Sequence, residues 1–295
     1  MLKVLVTGAN GQLGKSIRAI AKSASSPIHF IYKSSTELNI INANKLLDDF
    51  KSEQYSYCIN CAGYTNVDKA EEYALDAISV NATGVRNLAL ACKSINAILI
   101  QISTDFVFDG RKSSPYTEED EAKSIGSYSE SKLRGEKEVM DAMEEYFIIR
   151  TSWLYSEYGN NFMKSMLKYG QERDSLSVVF DQVGTPTYAK DLALAILKII
   201  ETANNSFGIY HYSNEGVASW YDFARAIFDI RNMNVELHAI RSSEYPTPAK
   251  RPSYSVLDKT KIKKTLQMEI PYWRDSLAEA LPSFAKLEKS KQMVE

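Results

Sequence analysis

The sequence predicts an α/β protein in which a doubly wound parallel sheet is followed by a smaller C-terminal α/β lobe. Two observations favour this fold. Short apolar runs alternate five times with helical segments in the first half of the chain, which is typical of a parallel sheet with helices on both faces. In addition, a glycine-rich turn separates the first apolar run from the first helix.

The predicted strands are apolar over nearly their whole length, as expected for strands that are buried on both faces. They cover residues 2–6, 28–32, 57–60, 97–102 and 146–150. The helices predicted between them cover residues 15–23, 44–52, 67–77 and 80–94, with a further helix around Tyr128. Because parallel strands end at one edge of the sheet, we expect a ligand at their carboxyl ends.

The glycine-rich turn has the spacing G-x-x-G-x-x-G and lies between the first strand and the first helix. Such a turn allows the backbone to approach a pyrophosphate closely and aims a helix N-terminus at it. The turn therefore predicts dinucleotide binding on a Rossmann-type sheet. The residues expected to contact the cofactor here are Gly8, Asn10, Gly11, Gln12, Leu13 and Gly14.

The end of the second strand bears on the choice of cofactor. An acidic residue there usually binds the ribose 2′-hydroxyl of NAD, but no acid occurs before Glu37. Lys33 and the two serines after it suit a 2′-phosphate better and favour NADPH over NADH, although Lys33 as a solvated loop residue is the alternative. Further cofactor contacts are expected at the ends of the predicted strands and just beyond them, from Asn39, Ile40, Ala62, Gly63, Tyr64 and Ser103.

The chain is predicted to form two units. Residues 1–151 form the dinucleotide-binding unit, to which elements near residues 177–202 return. Residues 152–176 and 203–295 form the substrate lobe. Its predicted elements, together with the returning ones, are a strand at 177–181, a helix at 189–202, a strand at 209–212 and helices at 220–229 and 276–291.

Candidate catalytic groups follow the fourth strand. Tyr128 and Lys132 are four residues apart, so on a helix they share one face. An ammonium beside the phenol is expected to lower the tyrosine pKa and make it a proton donor near neutral pH. The alternative is an ordinary amphipathic helix face. Thr104, at the end of the fourth strand, is the third candidate.

Composition excludes several other classes of protein. The 295 residues have a formal net charge of −2, which offers no whole-molecule field for nucleic acid. No apolar run is long enough to span a bilayer and no leader is evident, so we expect a cytoplasmic protein without membrane contact. The three histidines show no ligand spacing, so no metal site is expected.

The three cysteines argue against a disulfide framework, because their number is odd and small. Cys58 and Cys61 form a C-x-x-C pair, for which a redox or zinc role is an alternative. On a strand, however, residues three apart point to opposite faces. Buried free cysteines usually act as small apolar side chains.

Several motifs together resemble the extended short-chain dehydrogenase/reductase family over nearly the whole chain. Some of them, the glycine turn and the Tyr128–Lys132 pair, are widely shared, whereas S-T-D-x-V-F-D-G and R-T-S-W-x-Y are specific to a subgroup. The matching segments are residues 6–14, 60–71, 102–110, 150–155 and 182–187.

The resemblance implies NAD(P)H-dependent reduction of the C4 ketone of a dTDP-linked deoxysugar used for cell-surface polysaccharide. It implies that Tyr128 donates the proton, that Lys132 binds the nicotinamide ribose, and that Thr104 orients the sugar oxygen. Trp153 would contact the sugar, with a core aromatic as the alternative. The full set of implied substrate contacts is Thr104, Asp105, Trp153, Gln182 and Arg251.

Two other functions stay open at this point: reduction of another nucleotide-linked 4-ketosugar, and a non-catalytic NADP-binding regulatory subunit of the same family. Some residues depart from the family pattern. Ser129 replaces a glycine, so a close backbone approach there is in doubt. Lys15 and Lys190 occupy positions where acidic groups hold a magnesium ion between subunits. We therefore expect a monomer, or a homodimer without a magnesium bridge.

Overall fold

The computed structural model describes residues 2–23 and 28–292. Its strands, in chain order, are β1 (Lys3–Thr7), β2 (His29–Lys33), β3 (Tyr57–Asn60), β4 (Ile98–Thr104), β5 (Tyr146–Thr151), β6 (Leu154–Tyr155), β7 (Ser175–Val179), β8 (Val183–Gly184), β9 (Thr187–Tyr188), β10 (Gly208–His211), β11 (Ala218–Ser219) and β12 (Glu236–Ile240). Its α-helices are α1 (Gln12–Ser23), α2 (Ala43–Glu53), α3 (Lys69–Glu72), α4 (Ala74–Ile78), α5 (Gly84–Ser94), α6 (Ser127–Ala142), α7 (Phe162–Glu172), α8 (Ala189–Glu201), α9 (Trp220–Arg231), α10 (Thr260–Leu266) and α11 (Trp273–Gln292).

A six-stranded sheet forms the centre of the molecule, in the order β10-β5-β4-β3-β1-β2. Every neighbouring pair in it is parallel. Alternate residues of each strand face opposite layers of helices. Val4 and Val6 of β1 pack with α1 and α8, whereas Leu5 packs with α2 and α5. The predicted doubly wound α/β fold is confirmed.

A third core cluster lies among α7, α9 and α11, where Phe223 and Leu277 are fully buried. The two-stranded parallel pair of β7 and β12 packs against it. Two details differ from the prediction. The strand expected at residues 177–181 pairs with β12 and not with the central sheet, whereas β10, from the stretch assigned to the substrate lobe, is the sixth strand of that sheet. The division of the chain into two units stays a prediction.

The helices predicted at 67–77 and 80–94 are broken into α3, α4, a π-helical turn (Ser79–Thr83) and α5. Asn81 lies within the π turn. Its side-chain oxygen accepts from the Tyr64 backbone N–H, and its side-chain nitrogen donates to the Tyr64 carbonyl oxygen. Such π turns occur frequently at functional sites.

All three cysteines are free thiols. Cys58 packs in the cluster on one face of the sheet and Cys61 against the cluster on the other, as their spacing predicts. Burial raises the pKa of both thiols, which disfavours thiolate chemistry. Among the described helices, none combines the length and the apolarity that crossing a membrane requires.

Candidate active site

The strands of the sheet end in linked polar side chains at one edge. The Thr7 hydroxyl donates to Asn60 Oδ1 over 2.6 Å, and Asn60 Nδ2 donates to Gln101 Oε1 over 2.7 Å. These bonds cross β1, β3 and β4 and hold the strand ends in register. The glycine turn and the Tyr128 helix both adjoin this edge.

The glycine turn brings bare backbone to the start of α1. Gly8 has a φ of +61°, and a Cβ there would lie 2.5 Å from the backbone nitrogen of Ala62. Gly11 N–H donates to Gly8 O over 2.9 Å, and a Cβ on Gly14 would lie 2.8 Å from Ala9 Cα. Helix α1 begins at Gln12, earlier than predicted, so its N-terminus directly adjoins the turn. Bare backbone at a helix N-terminus is suited to an anion.

The non-glycine residues of the turn differ in their surroundings. Asn10 is exposed at its tip, and Leu13 is buried in the core. The Gln12 amide bonds to a distant segment: Nε2 donates to Leu154 O over 3.3 Å, while Oε1 accepts from Ser156 and Asn161, both over 2.9 Å. The Gln12 side chain therefore ties the turn to residues 154–161.

The end of β2 is more acidic than the sequence suggested. Lys33 Nζ forms an ion pair with Asp49 on α2, so the residue expected at a 2′-phosphate already has an anionic partner. The Glu37 carboxylate turns back to the strand and accepts from the nitrogen and the hydroxyl of Ser34, over 2.7 and 2.6 Å. These bonds lower the pKa of Glu37.

Two predicted cofactor residues lie in the segment that follows β2. Asn39 is exposed, and its Oδ1 accepts from the Ile41 nitrogen over 3.0 Å. Ile40 is buried, and its side chain lies where a Cβ on Gly84 would be.

The segment after β3 is held by two asparagines. Ala62 N–H donates to Asn60 Oδ1 over 3.1 Å. Tyr64 N–H donates to Asn81 Oδ1 over 2.9 Å, and Asn81 Nδ2 returns a bond to Tyr64 O over 3.0 Å. Gly63 lies between them, close to the same amide. The predicted cofactor segment is therefore fixed before any ligand binds.

Tyr128 and Thr104 lie side by side at the end of β4, close enough for the Thr104 hydroxyl to lower the Tyr128 pKa. Thr104 Oγ1 also donates to Asp105 Oδ1 over 3.1 Å and accepts from Phe106 N–H over 3.2 Å. Burial raises the pKa of Tyr128 to about 12, against the lowering effect of the Thr104 hydroxyl. The expected lowering of this pKa is therefore wrong: removal of the phenol from water raises it, the Asp105 carboxylate acts in the same direction, and the Thr104 hydroxyl offsets only part of the rise.

Lys132 lies one turn after Tyr128, and only 8% of it is exposed. Its Nζ donates to the carbonyl oxygen of Ile102 over 2.6 Å. Burial lowers the Lys132 pKa to about 8, although the Glu136 carboxylate opposes this shift. The ammonium thus lies against the end of β4.

Asp105 is buried beside Thr104, with 2% of its surface exposed. Burial raises its pKa to about 7, and the hydroxyls of Ser255 and Thr104 offset part of that effect. The carboxyl group can therefore hold a proton near neutral pH.

Helix α6 begins with two caps. Glu71, from α3, accepts from the nitrogen and the hydroxyl of Ser127 over 2.8 and 3.0 Å, which places a carboxylate at the positive end of the helix. The Ser129 hydroxyl accepts from Gly126 N–H over 3.1 Å and donates to Gly126 O over 2.8 Å. Ser129, which departs from the family pattern, therefore serves as a cap.

A buried ion pair behind this helix was missed in the sequence. Arg150 donates to Glu136 from Nε over 3.0 Å and from Nη2 over 2.7 Å. The Ser103 hydroxyl also donates to Glu136, so it points into this pair and not freely to the expected cofactor. The sequence offers one indication that Glu136 belongs to the site: it is four residues after Lys132 and therefore lies on the same face of the helix.

Trp153 has a φ of +45°, which is rare for an aromatic residue and typical of functional sites. Its ring stacks on Trp220, with 3.6 Å between ring centroids. A Cβ on Gly184 would lie 2.8 Å from its ring. The glycine of β8 thus leaves the space that the indole occupies, and Trp220 is a neighbour that sequence patterns did not indicate.

Arg251 is held by Asp68, which accepts from Nη2 over 2.7 Å, while Nη1 donates to Thr247 Oγ1 over 2.6 Å. Gln182 comes immediately before β8, and Val183 N–H donates to Ser253 O over 2.8 Å. The structure therefore brings the segments that carry these two predicted diphosphate ligands side by side.

A glycine turn at a helix N-terminus and a phenol beside a threonine hydroxyl at one sheet edge are features of nucleotide-dependent oxidoreductases of the short-chain dehydrogenase/reductase class. Within that class, the chain belongs to the family described as RmlD substrate binding domain, whose model matches residues 2–286. The family indicated by the sequence motifs is thereby confirmed.

Relatives of known name cover almost the whole chain. A dTDP-4-dehydrorhamnose reductase of Aggregatibacter actinomycetemcomitans is 40% identical over 94% of this chain and 97% of its own. The crystal structure of a dTDP-4-dehydrorhamnose reductase from Clostridium acetobutylicum superposes with a TM-score of 0.93 at 41% identity, covering 96% of this chain and all of the other. The same enzyme from Bacillus anthracis, crystallised with NADP, gives a TM-score of 0.91 at 38% identity, with the same coverage.

Proposed function

We propose that the protein reduces the C4 ketone of dTDP-4-dehydro-L-rhamnose with NADPH, giving dTDP-L-rhamnose for cell-surface polysaccharide. The observation that carries this proposal is that Tyr128 lies beside Thr104 at the end of β4, one turn from the buried Lys132. Relatives at up to 41% identity are named dTDP-4-dehydrorhamnose reductase, which favours an enzyme over a regulatory subunit.

The cofactor site suits NADPH. The bare turn at Gly8 and the N-terminus of α1 would hold the pyrophosphate, and the fixed segment from Ala62 to Tyr64 would lie along the nucleotide. The NADP bound to the Bacillus anthracis enzyme favours NADPH, with NADH as the weaker candidate. When bound, the reduced nicotinamide supplies the hydride. Lys33 would reach a 2′-phosphate after exchanging its partner Asp49.

The catalytic roles follow from the protonation states. With a pKa raised to about 12, Tyr128 carries its proton throughout the neutral range and can donate it to the sugar O4 as the C4 carbonyl carbon accepts hydride. The Thr104 hydroxyl would bond to the same oxygen and then stabilise the phenolate. The Lys132 ammonium would bond to the nicotinamide ribose.

Four residues are proposed to contact the substrate. Trp153 would pack against the sugar ring and Asp105 would bond to a sugar hydroxyl. Arg251 and Gln182 would meet the diphosphate, because a guanidinium can bond to two phosphate oxygens at once.

The test is the oxidation of NADPH, followed by absorbance, with dTDP-4-dehydro-L-rhamnose. Tyr128→Phe should lower kcat by about 100-fold or more, because the positioned proton donor is lost. Tyr73→Phe, at a half-exposed tyrosine, is the matched control and should retain the wild-type rate. A wild-type rate no higher than that of Tyr128→Phe would contradict the proposal. The configuration at C4 of the product, determined by NMR, separates this reaction from reduction to a different deoxysugar.

We further propose that the protein is a monomer or a homodimer without a magnesium bridge. Lys15 lies with Arg18 and Lys22 beside one cavity, and Lys190 pairs with Glu279. Cations on these helices repel a divalent ion.

A cytoplasmic location is also proposed, since the free thiols suit a reducing compartment.

A further inference from the structure

Three successive residues at the end of β4 contact three residues of α6. Lys132 Nζ donates to Ile102 O, the Ser103 hydroxyl donates to the Glu136 carboxylate, and Thr104 lies beside Tyr128. Two of these three contacts involve proposed catalytic groups. Along β4, the contact of Ser103 with Glu136 therefore lies between the residue beside the proton donor Tyr128 and the residue that binds the Lys132 ammonium.

Glu136 is also fixed from the next strand. Arg150 of β5 bonds to both carboxylate oxygens, and 4% and 1% of the two side chains are exposed. Breaking such a buried pair leaves an uncompensated charge in the interior, so the position of the carboxylate is tightly held. The turn of α6 that carries Lys132 is thereby clamped to β4 and β5 together.

Two buried cations lie near the single Glu136 carboxylate. Arg150 on β5 bonds to it directly, and Lys132, four residues earlier on the same helix, is a second buried cation whose pKa it raises. From β10, His211 approaches Arg150 with Nε2 3.4 Å from Nη1. Burial and Arg150 lower the His211 pKa to about 3, so this ring is neutral. Tyr146 of β5 also faces the carboxylate and has a raised pKa, chiefly because it is buried.

We propose that Glu136 is a positioning residue for the reduction: its buried carboxylate clamps the Lys132 turn of α6 to the strand ends and keeps the Lys132 side chain in its charged form. The inference rests on the proposed function. It explains why a lysine with 8% exposure can serve as a cation. Loss of the carboxylate would leave Lys132 to the full effect of burial, which favours the neutral amine.

The first test is the pH profile of kcat/KM for Glu136→Gln, which keeps the shape and removes the charge. The alkaline limb should move to lower pH by roughly half a unit or more, and kcat at pH 8 should fall about twofold or more, while KM for the sugar changes little. Glu136→Asp keeps the charge and should restore the alkaline limb even if kcat stays low. Glu138→Gln, on the same helix but outside the cluster, is the matched control and should resemble the wild type.

A second measurement needs no substrate. In protein with ¹³C-labelled lysine, the Lys132 signal is assigned by its loss in Lys132→Met, and its titration is followed by NMR. The midpoint should be lower in Glu136→Gln than in the wild type. If Glu136→Gln does not fold, the variant with both Glu136→Gln and Arg150→Gln takes its place and is compared with Arg150→Gln alone, so that the two differ only in the Glu136 charge; the Lys132 midpoint should be lower in the double variant.

An unchanged Lys132 titration, or an active Glu136→Gln enzyme with the wild-type alkaline limb, would overturn the inference. Failure of the proposed function is a separate outcome: the wild type would then not oxidise NADPH with the sugar, and the NMR titration would still decide the role of Glu136.

Discussion

Asp105 gives the site a pH dependence of its own. Its pKa is raised to about 7 in the folded protein, against about 3.9 in an unfolded chain, so folding favours the protonated carboxyl. The stability that the group contributes is fully present below about pH 4 and is lost as the pH rises through about 7. Asp105→Asn, which imitates the protonated form, lacks this dependence.

Urea unfolding of the two proteins between pH 4.5 and pH 8 checks this expectation. The variant should gain stability relative to the wild type as the pH rises, most steeply between about pH 5 and 7. Parallel stability curves would show that the carboxyl keeps an ordinary pKa despite its burial. The same variant should also weaken sugar binding if Asp105 bonds to the substrate.

For single residues, the sequence predicts which side chains can carry out the chemistry, but it does not predict which residues they pair with in the folded protein. The chain order places Thr104 at a strand end and Tyr128 four residues before Lys132, and the structure places Thr104 and Tyr128 side by side. The pairing of Lys33 with Asp49 depends on how α2 packs beside β2, which no local pattern encodes. The raised pKa of Tyr128 likewise depends on burial, which is a tertiary property.

At Gly135, helix α6 approaches the backbone of the π turn so closely that no side chain fits between them. A Cβ on Gly135 would lie well inside contact distance of the backbone oxygen of Asn81. Gly135→Ala should therefore destabilise the protein by about 2 kcal/mol, since overpacking outweighs the gain of about 1 kcal/mol in helix propensity. NADPH affinity should fall as well, because Asn81 holds the backbone of Tyr64.

Urea unfolding and NADPH titration measure both effects. Lys137→Ala, at an exposed position of the same helix, is the control and should stay within about 0.5 kcal/mol of the wild type. A Gly135→Ala protein as stable as the wild type would mean that α6 can move away from the π turn at no cost.

The elements that were predicted well are those with a strong local signal. The five apolar strands and the long amphipathic helices were found within a few residues of their observed bounds. Pairing was the weaker part, because β7 and β10 are similar short runs and only tertiary packing decides which one joins the central sheet. The π turn was missed for the same reason, since its amide partner lies in the segment after β3.

For the whole molecule, the surface formed by α1 and α8 should not assemble through a divalent ion. Light scattering coupled to gel filtration, with magnesium or with a chelator, should give the same mass. A mass that halves on chelation would contradict the proposal. The reversed variant, Lys15→Glu with Lys190→Glu, is the informative comparison, because it removes the repulsion between the helices and an added cation.

The Gln12 side chain has a practical consequence for anyone who redesigns the cofactor preference. A glycine turn grafted from another dehydrogenase would bring a foreign residue to position 12, and Ser156 and Asn161 would lose the amide oxygen that they share. The graft would then loosen a segment more than 140 positions away along the chain. Position 12 and residues 154–161 should therefore be exchanged as one unit.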